Sequence, residues 1–116
     1  MNPLSKDEKI ELNRILNSVQ GRLDEKLIKF TLELVFKTNV RASKEDFRLY
    51  SANIQNIPSR SIHAFSLGSF FGQTYQISLD IAKKMNLKLK FEQKRILREF
   101  VFFIVLLKFE KESKTN

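Results

Sequence analysis

The feature that most constrains the fold is a run of eight apolar residues near the C-terminus, Phe100 to Leu107. Exposed apolar side chains cost free energy in water, so most of this surface must be covered by the rest of the chain or by a partner. The run lies between Glu99 and Lys108. It is much shorter than the roughly 20 apolar residues that a membrane-spanning helix needs. We therefore predict no integral membrane span.

We predict that this run lies within a helix covering residues 91–111. The segments that flank it, residues 92–95 and 110–112, consist of good helix formers. At 100° per residue, the first half of the helix has an apolar face and a basic face, whereas the second half is apolar on every side. A helix that is apolar all round is expected at the centre of a bundle or in an oligomer interface. A buried strand is the alternative, because Val, Ile and Phe also favour sheets.

The pattern of residues in the first half of the chain predicts three further helices. Ser5 and Glu8 have the spacing of a capping box, which marks the start of a first helix. Gly21 either ends this helix or lies inside a longer one, and we favour a break. A second helix is predicted over residues 24–37 and a third over residues 43–57, because each segment carries an apolar stripe at helical spacing.

A fourth helix is predicted over residues 58–85, with small residues on one of its faces. Ala64, Gly68 and Gly72 are spaced four apart, which would allow another backbone to approach closely. Each Gly also weakens a helix by about 1 kcal/mol. A kink is therefore expected near Gly68 and Gly72, and a break into two shorter helices is the alternative.

These patterns predict an all-α fold. We expect a compact bundle of four to five helices in a single domain, residues 1–116, in which the helices at about 58–85 and 91–111 are central. Residues 1–4 and 112–116 are expected to fray. The polar N-terminus predicts no signal peptide. The absence of Cys fits a reducing compartment, so we predict a cytoplasmic location.

The basic residues are distributed unevenly. The formal net charge is +8, and seven of the basic residues fall between positions 83 and 98, where only Glu92 opposes them. Such a cluster is suited to binding the phosphates of nucleic acid. The alternative is a solvated surface, in which Lys83 and Lys84 complement a helix dipole. The predicted nucleic-acid-binding residues are Lys83, Lys84, Lys88, Lys90, Lys94, Arg95 and Arg98.

The chain has little of the side-chain chemistry that catalysis or metal binding requires. It contains no Cys and a single His, His63, so we predict no disulfide and no transition-metal site. Ser59, Ser61 and Ser66 lie near this residue, but none is part of a nucleophile elbow. The segment Gly68–Gly72 does not match a phosphate loop. We predict that the protein is not an enzyme and uses no cofactor.

Two segments resemble known families over short stretches. Gly68 to Thr74 resembles a segment in the small helical subunits of type III CRISPR effector complexes. Phe65 to Gly68 resembles the Gly-centred helix start of Bcl-2-like proteins, although the Trp and Arg of that family are missing here. Each resemblance covers fewer than ten residues, so neither assigns a family or a functional residue.

Two classes of function follow from the sequence. The first is a non-catalytic module that contacts nucleic acid through the basic cluster, as a regulator or as a small subunit of a nucleoprotein assembly. The second is a protein-binding inhibitor, immunity factor or adaptor that uses an apolar helical groove or dimer face. A role at a membrane surface ranks third, because basic and apolar segments adjoin. The expected homodimer or partner interface comprises Phe102, Val105, Phe109, Gly68 and Gly72.

Overall fold

The computed structural model describes residues 4–37 and 59–114, with side chains for residues 4–37 and 64–109. Within these ranges the chain forms four helices and no strand, which confirms the all-α prediction. The predicted third helix, residues 43–57, lies outside the described residues, as does the side chain of His63. The helices are α1 (Lys6–Val19), α2 (Glu25–Lys37), α3 (Ser59–Lys84) and α4 (Phe91–Lys114).

Local capping interactions separate α1 from α2. The hydroxyl of Ser5 accepts a hydrogen bond from the backbone N–H of Glu8, and the Glu8 carboxylate accepts one from the backbone N–H of Ser5, so the predicted capping box is present. Gly21 has a φ of 78°, a left-handed conformation that favours glycine. The predicted break at Gly21 is therefore confirmed. The Asp24 carboxylate then accepts from the backbone N–H of Leu27 (3.1 Å) at the start of α2.

A short turn connects α3 to α4. Asn86 has a φ of 60°, which Asn tolerates better than most residues. Its N–H donates to the carbonyl of Lys83 (3.1 Å), and the N–H of Leu87 donates to the carbonyl of Ala82 (2.9 Å). These two hydrogen bonds form a Schellman motif, which satisfies carbonyls that the end of a helix leaves unpaired. The chain can therefore reverse direction within residues 85–90.

Helices α3 and α4 run antiparallel, as two contacts at different levels show. The ring of Phe70 packs against that of Phe109, with 5.7 Å between centroids. Further along α3, the hydroxyl of Tyr75 donates to the backbone carbonyl of Lys94 (3.4 Å). The contact position moves backwards along α4 as it moves forwards along α3. Both helices therefore pair along much of their length.

Helix α4 is the centre of the described structure. It packs against each of the other three helices, whereas no other described helix does so. The apolar run is helical and largely enclosed. This confirms the prediction that the run lies in a helix and that most of its surface is covered. Phe102 and Phe103 are the exceptions, at 38% and 44% exposure. The buried apolar residues of α4 are Ile96, Leu97, Phe100, Val101, Ile104, Val105, Leu107 and Phe109.

A buried lysine ties the C-terminal part of α4 to α2. Lys108 is only 2% exposed, and its ammonium donates to the backbone carbonyl of Val35 (2.6 Å). This carbonyl belongs to the last turn of α2, where helices leave carbonyls unpaired and where the dipole attracts positive charge. The ammonium also lies 5.5 Å from the ring centroid of Phe70. One side chain thus connects α4, α2 and α3.

The glycines of α3 do not have the packing role that their spacing predicts. The helix is continuous through Gly68 and Gly72, so the alternative of two shorter helices is wrong. A Cβ added at either glycine would meet nothing within 4 Å, so among the described residues there is no close approach there. A different stripe of α3, made mostly of small residues, faces the interior. The side chains of this stripe point toward α2 and α4. The stripe comprises Ser66, Phe70, Thr74, Ser78 and Ala82.

The stability of the fold should depend on the enclosed face of α4. Leu97 has no exposed surface, and truncating a buried Leu typically costs about 2–5 kcal/mol. We expect Leu97→Ala to lower the free energy of unfolding by an amount in that range, measured by urea denaturation. Phe91→Ala is the control, because this ring is 84% exposed and its loss should change stability by less than about 0.5 kcal/mol. Equal effects of the two substitutions would contradict the packing described here.

Candidate nucleic-acid interface

The seven predicted phosphate-binding residues lie at one end of the α3–α4 hairpin. Lys83 and Lys84 end α3, Lys88 and Lys90 lie in the turn, and the other three lie in the first turns of α4. All seven side chains are exposed. Lys83 of α3 and Lys94 of α4 line the same hollow of about 330 Å³, together with Asp80. We call residues 83–98 the basic segment.

The exposed face of α4 alternates aromatic rings with cations. Phe91, Arg95, Arg98 and Phe102 follow one another at spacings of four, three and four residues, which places them on one side of a helix. All four are exposed, and Phe91 is 84% exposed. The basic segment therefore carries large apolar rings among its charges, and it continues into the apolar run through Phe102.

A groove about 280 Å³ in volume lies where this face of α4 meets α3. The rings of Phe71 and Phe102 meet edge to face, with centroids 5.5 Å apart. Phe103 packs against Phe102 in a similar way (5.9 Å). The guanidinium of Arg98 lies over the Phe71 ring, 5.9 Å from its centroid, in a cation–π arrangement. We call this site the aromatic groove; it is lined by Phe71, Arg95, Arg98, Glu99, Phe102 and Phe103.

Arg95 is held by two carboxylates of its own helix. It hydrogen-bonds to Glu92 one turn before it and to Glu99 one turn after it, the latter at 3.2 Å. The hydrogen bond from Arg95 is the main reason that the pKa of Glu92 lies below the usual value for a glutamate. The same bond raises the pKa of Arg95. Since these groups are exposed, the pairs add little stability, but they compete with any anion for Arg95.

The residues predicted to form a partner interface fall into three groups that differ in burial and location. Phe102 is partly exposed and lines the aromatic groove. Val105 and Phe109 are buried inside the chain, so the expectation that they face outward is wrong. Helix α3 covers Phe109, whose ring packs against that of Phe70. Gly68 and Gly72 are exposed, with open space above them.

Sequence reasoning missed four members of this surface. Phe91 could have been identified from the sequence, because its spacing from Arg95, Arg98 and Phe102 places it on their side of the helix. Phe71 could not have been identified from the sequence, because it belongs to a different helix and contacts the other residues of the surface only after α3 and α4 pair. Phe103 and Glu99 were missed because a helical wheel does not show where a neighbouring helix stops covering a face. The described structure shows both side chains exposed.

The fold and the surface together define a small all-α protein with a basic and aromatic face built on an antiparallel helix pair. No protein-family model, no curated protein and no solved structure matches the chain. Among the described residues, no helix is both long enough and apolar enough to cross a membrane. Function must therefore be argued from the surface itself.

The pairing of Arg95 can be tested by titrating its partner. In Arg95→Met we expect the pKa of Glu92 to rise toward the ordinary glutamate value, because the hydrogen bond that favours its ionised form is lost. The measurement is a carboxyl-carbon NMR titration. Glu11 is the matched control, since its pKa is lowered in the same way by Arg14, on α1. A Glu92 pKa that does not move, or a Glu11 pKa that moves equally, would contradict this pairing.

Proposed function

We propose that this protein is a non-catalytic nucleic-acid-binding module that holds phosphates through the basic segment. One observation carries the proposal: seven cationic side chains are exposed together at one end of the α3–α4 hairpin. Three carboxylates oppose them: Glu92 and Glu99 both pair with Arg95, and Asp80 lines the same hollow as Lys83 and Lys94, so an excess of cations remains. A surface with this excess of positive charge attracts a polyanion and gains free energy by releasing the counterions of the bound phosphates.

The composition of the surface favours recognition of the backbone rather than of the sequence. Five of its seven cations are Lys, whose flexible ammonium acts as a point charge. Contacts of this kind position a protein on nucleic acid without reading base identity. This behaviour fits a regulator or a small subunit of a nucleoprotein assembly that works with cytoplasmic nucleic acid. It requires no catalytic group and no cofactor.

Charge reversal at the centre of the basic segment tests the proposal. In a variant carrying Lys88→Glu, Lys90→Glu and Lys94→Glu, we expect affinity for a fluorescently labelled single strand to fall at least about tenfold at low salt. The slope of log affinity against log salt should become shallower by about 2, because each lost phosphate contact on a single strand contributes roughly 0.7. Fluorescence anisotropy across a salt series measures both quantities.

The matched control reverses the same number of charges elsewhere. Lys9, Lys26 and Lys29 are exposed on α1 and α2, so changing all three to Glu alters the net charge equally. We expect this control to retain most of the affinity and the original salt slope. If both triple variants lose binding alike, only the total charge matters and the basic segment is not the site. If wild-type protein binds nothing at low salt, the proposal fails.

The second candidate function is assembly with another copy of this chain. The observation that favours it is the exposed face of α3, where Gly68 and Gly72 have open space above them and Phe65 is 42% exposed. Phe102 and Phe103 add apolar surface on α4. Exposed apolar surface of this kind is common at sites of protein association.

Light scattering distinguishes this candidate. If the chain forms a dimer through α4, we expect Phe102→Asp to shift the mass to that of a monomer, because a carboxylate would be buried without a partner. Ile10→Asp is the control, since Ile10 is exposed on α1. A wild-type protein that is monomeric at all concentrations would exclude the homodimer. A dimer that persists in Phe102→Asp would place the interface elsewhere.

A further inference from the structure

We infer that the aromatic groove holds an unpaired nucleobase, and that single-stranded nucleic acid is therefore the ligand class of the basic segment. This inference rests on the proposed function, because the groove is only one part of a surface that must first attract phosphates. It adds a specific role for Phe102 and Phe103, together with a preference for single strands over duplexes.

The first support is the arrangement of the rings. Phe102 and Phe103 are about two-fifths exposed, yet each contacts another ring: Phe102 packs against Phe71, and Phe103 packs against Phe102. A ring that is held in place but partly open can stack on a base at a small cost in conformational entropy. Base stacking on aromatic side chains is a principal means by which proteins bind single strands without sequence preference.

The second support is Arg98, which brings a positive charge to the edge of the groove. Its guanidinium lies over Phe71, so its plane is already positioned next to the aromatic rings. Among the described residues, no carboxylate is within ion-pair distance of Arg98. Arg98 is therefore available to a phosphate, in contrast to Arg95. A nucleotide can place its phosphate on Arg98 and its base against Phe102 and Phe103.

The third support is the charge of the groove lining, which leaves Arg98 as the cation on which a phosphate can rest. Arg95 and Glu99 both line the groove and pair with each other at 3.2 Å, so their charges largely offset. The sugar–phosphate backbone is therefore expected to follow the lysines and Arg98, with the base pointing into the groove. Bases in a duplex are paired and stacked, so they cannot adopt this arrangement without first being unpaired.

Phe91 provides a second exposed ring on the side of α4 that a bound nucleic-acid strand would follow. It precedes Phe102 by eleven residues on the same side of α4, a distance of about 16 Å along the helix. Lys94 and Arg98 lie between the two rings on this face. A strand that follows α4 would thus meet an aromatic ring, then cations, then the aromatic groove.

The test compares three probes that carry equal numbers of phosphates: a thymidine homopolymer, an abasic strand of the same length and a hairpin duplex. For wild-type protein at low salt, we expect the homopolymer to bind about tenfold more tightly than the abasic strand and more tightly than the duplex. In a variant with Phe102→Leu and Phe103→Leu, the homopolymer should lose about tenfold, while the abasic strand should bind as before. Leu retains the apolar contacts but has no ring on which a base can stack.

Phe30→Leu is the matched control, because Phe30 is an exposed ring on α2 (49%) outside the groove, and it should change none of the three affinities. The comparison of homopolymer with abasic strand needs no variant, so a folding defect cannot obscure it. Equal wild-type binding of those two probes would overturn the base-stacking inference while leaving phosphate binding intact. Failure of all three probes to bind would instead overturn the proposed function.

Discussion

Residues 96–109 of α4 are packed against α1, α2 and α3, and the burial of their apolar side chains determines where the other helices can lie. Ile96, Val101 and Val105 are all buried, although at 3.6 residues per turn they span about half the circumference of the helix. A single neighbour cannot cover that much of a helix surface, so several must converge on it. Lys108 strengthens this convergence, because its ammonium reaches the end of α2 through the same packed region.

The same helix changes character along its length, which connects the core to the proposed function. Its first turns carry exposed cations, whereas residues 100–109 are mostly buried. Phe102 lies at the transition, with one side packed on Phe71 and the other open. We expect the packing of residues 100–109 to restrict the motion of the exposed turns that precede them. Rigidity of this kind reduces the entropy lost when a ligand binds.

Interpretation of the apolar run from a helical wheel was correct for the element and partly wrong for its faces. One side of the helix carries Phe102, Val105 and Phe109, and the sequence predicts that all three lie in the same partner interface. The structure separates them, because α3 packs beside Phe109 through Phe70 but leaves Phe102 partly exposed. A wheel describes angle around an axis, whereas exposure also depends on how much of a side chain its neighbours cover: Phe71 of α3 packs on Phe102 but leaves 38% of it exposed.

The sequence by itself determined the four described helices, the capping box at Ser5, the break at Gly21 and the position of the basic segment, because each depends on residues close together in the chain. Only the tertiary structure decided that Phe71 meets Phe102 and Arg98, and that the face of Gly68 and Gly72 stays open. Residues 71 and 102 are separated by the whole α3–α4 turn. Their contact depends on the antiparallel packing of two helices, and local periodicity carries no information about that pairing.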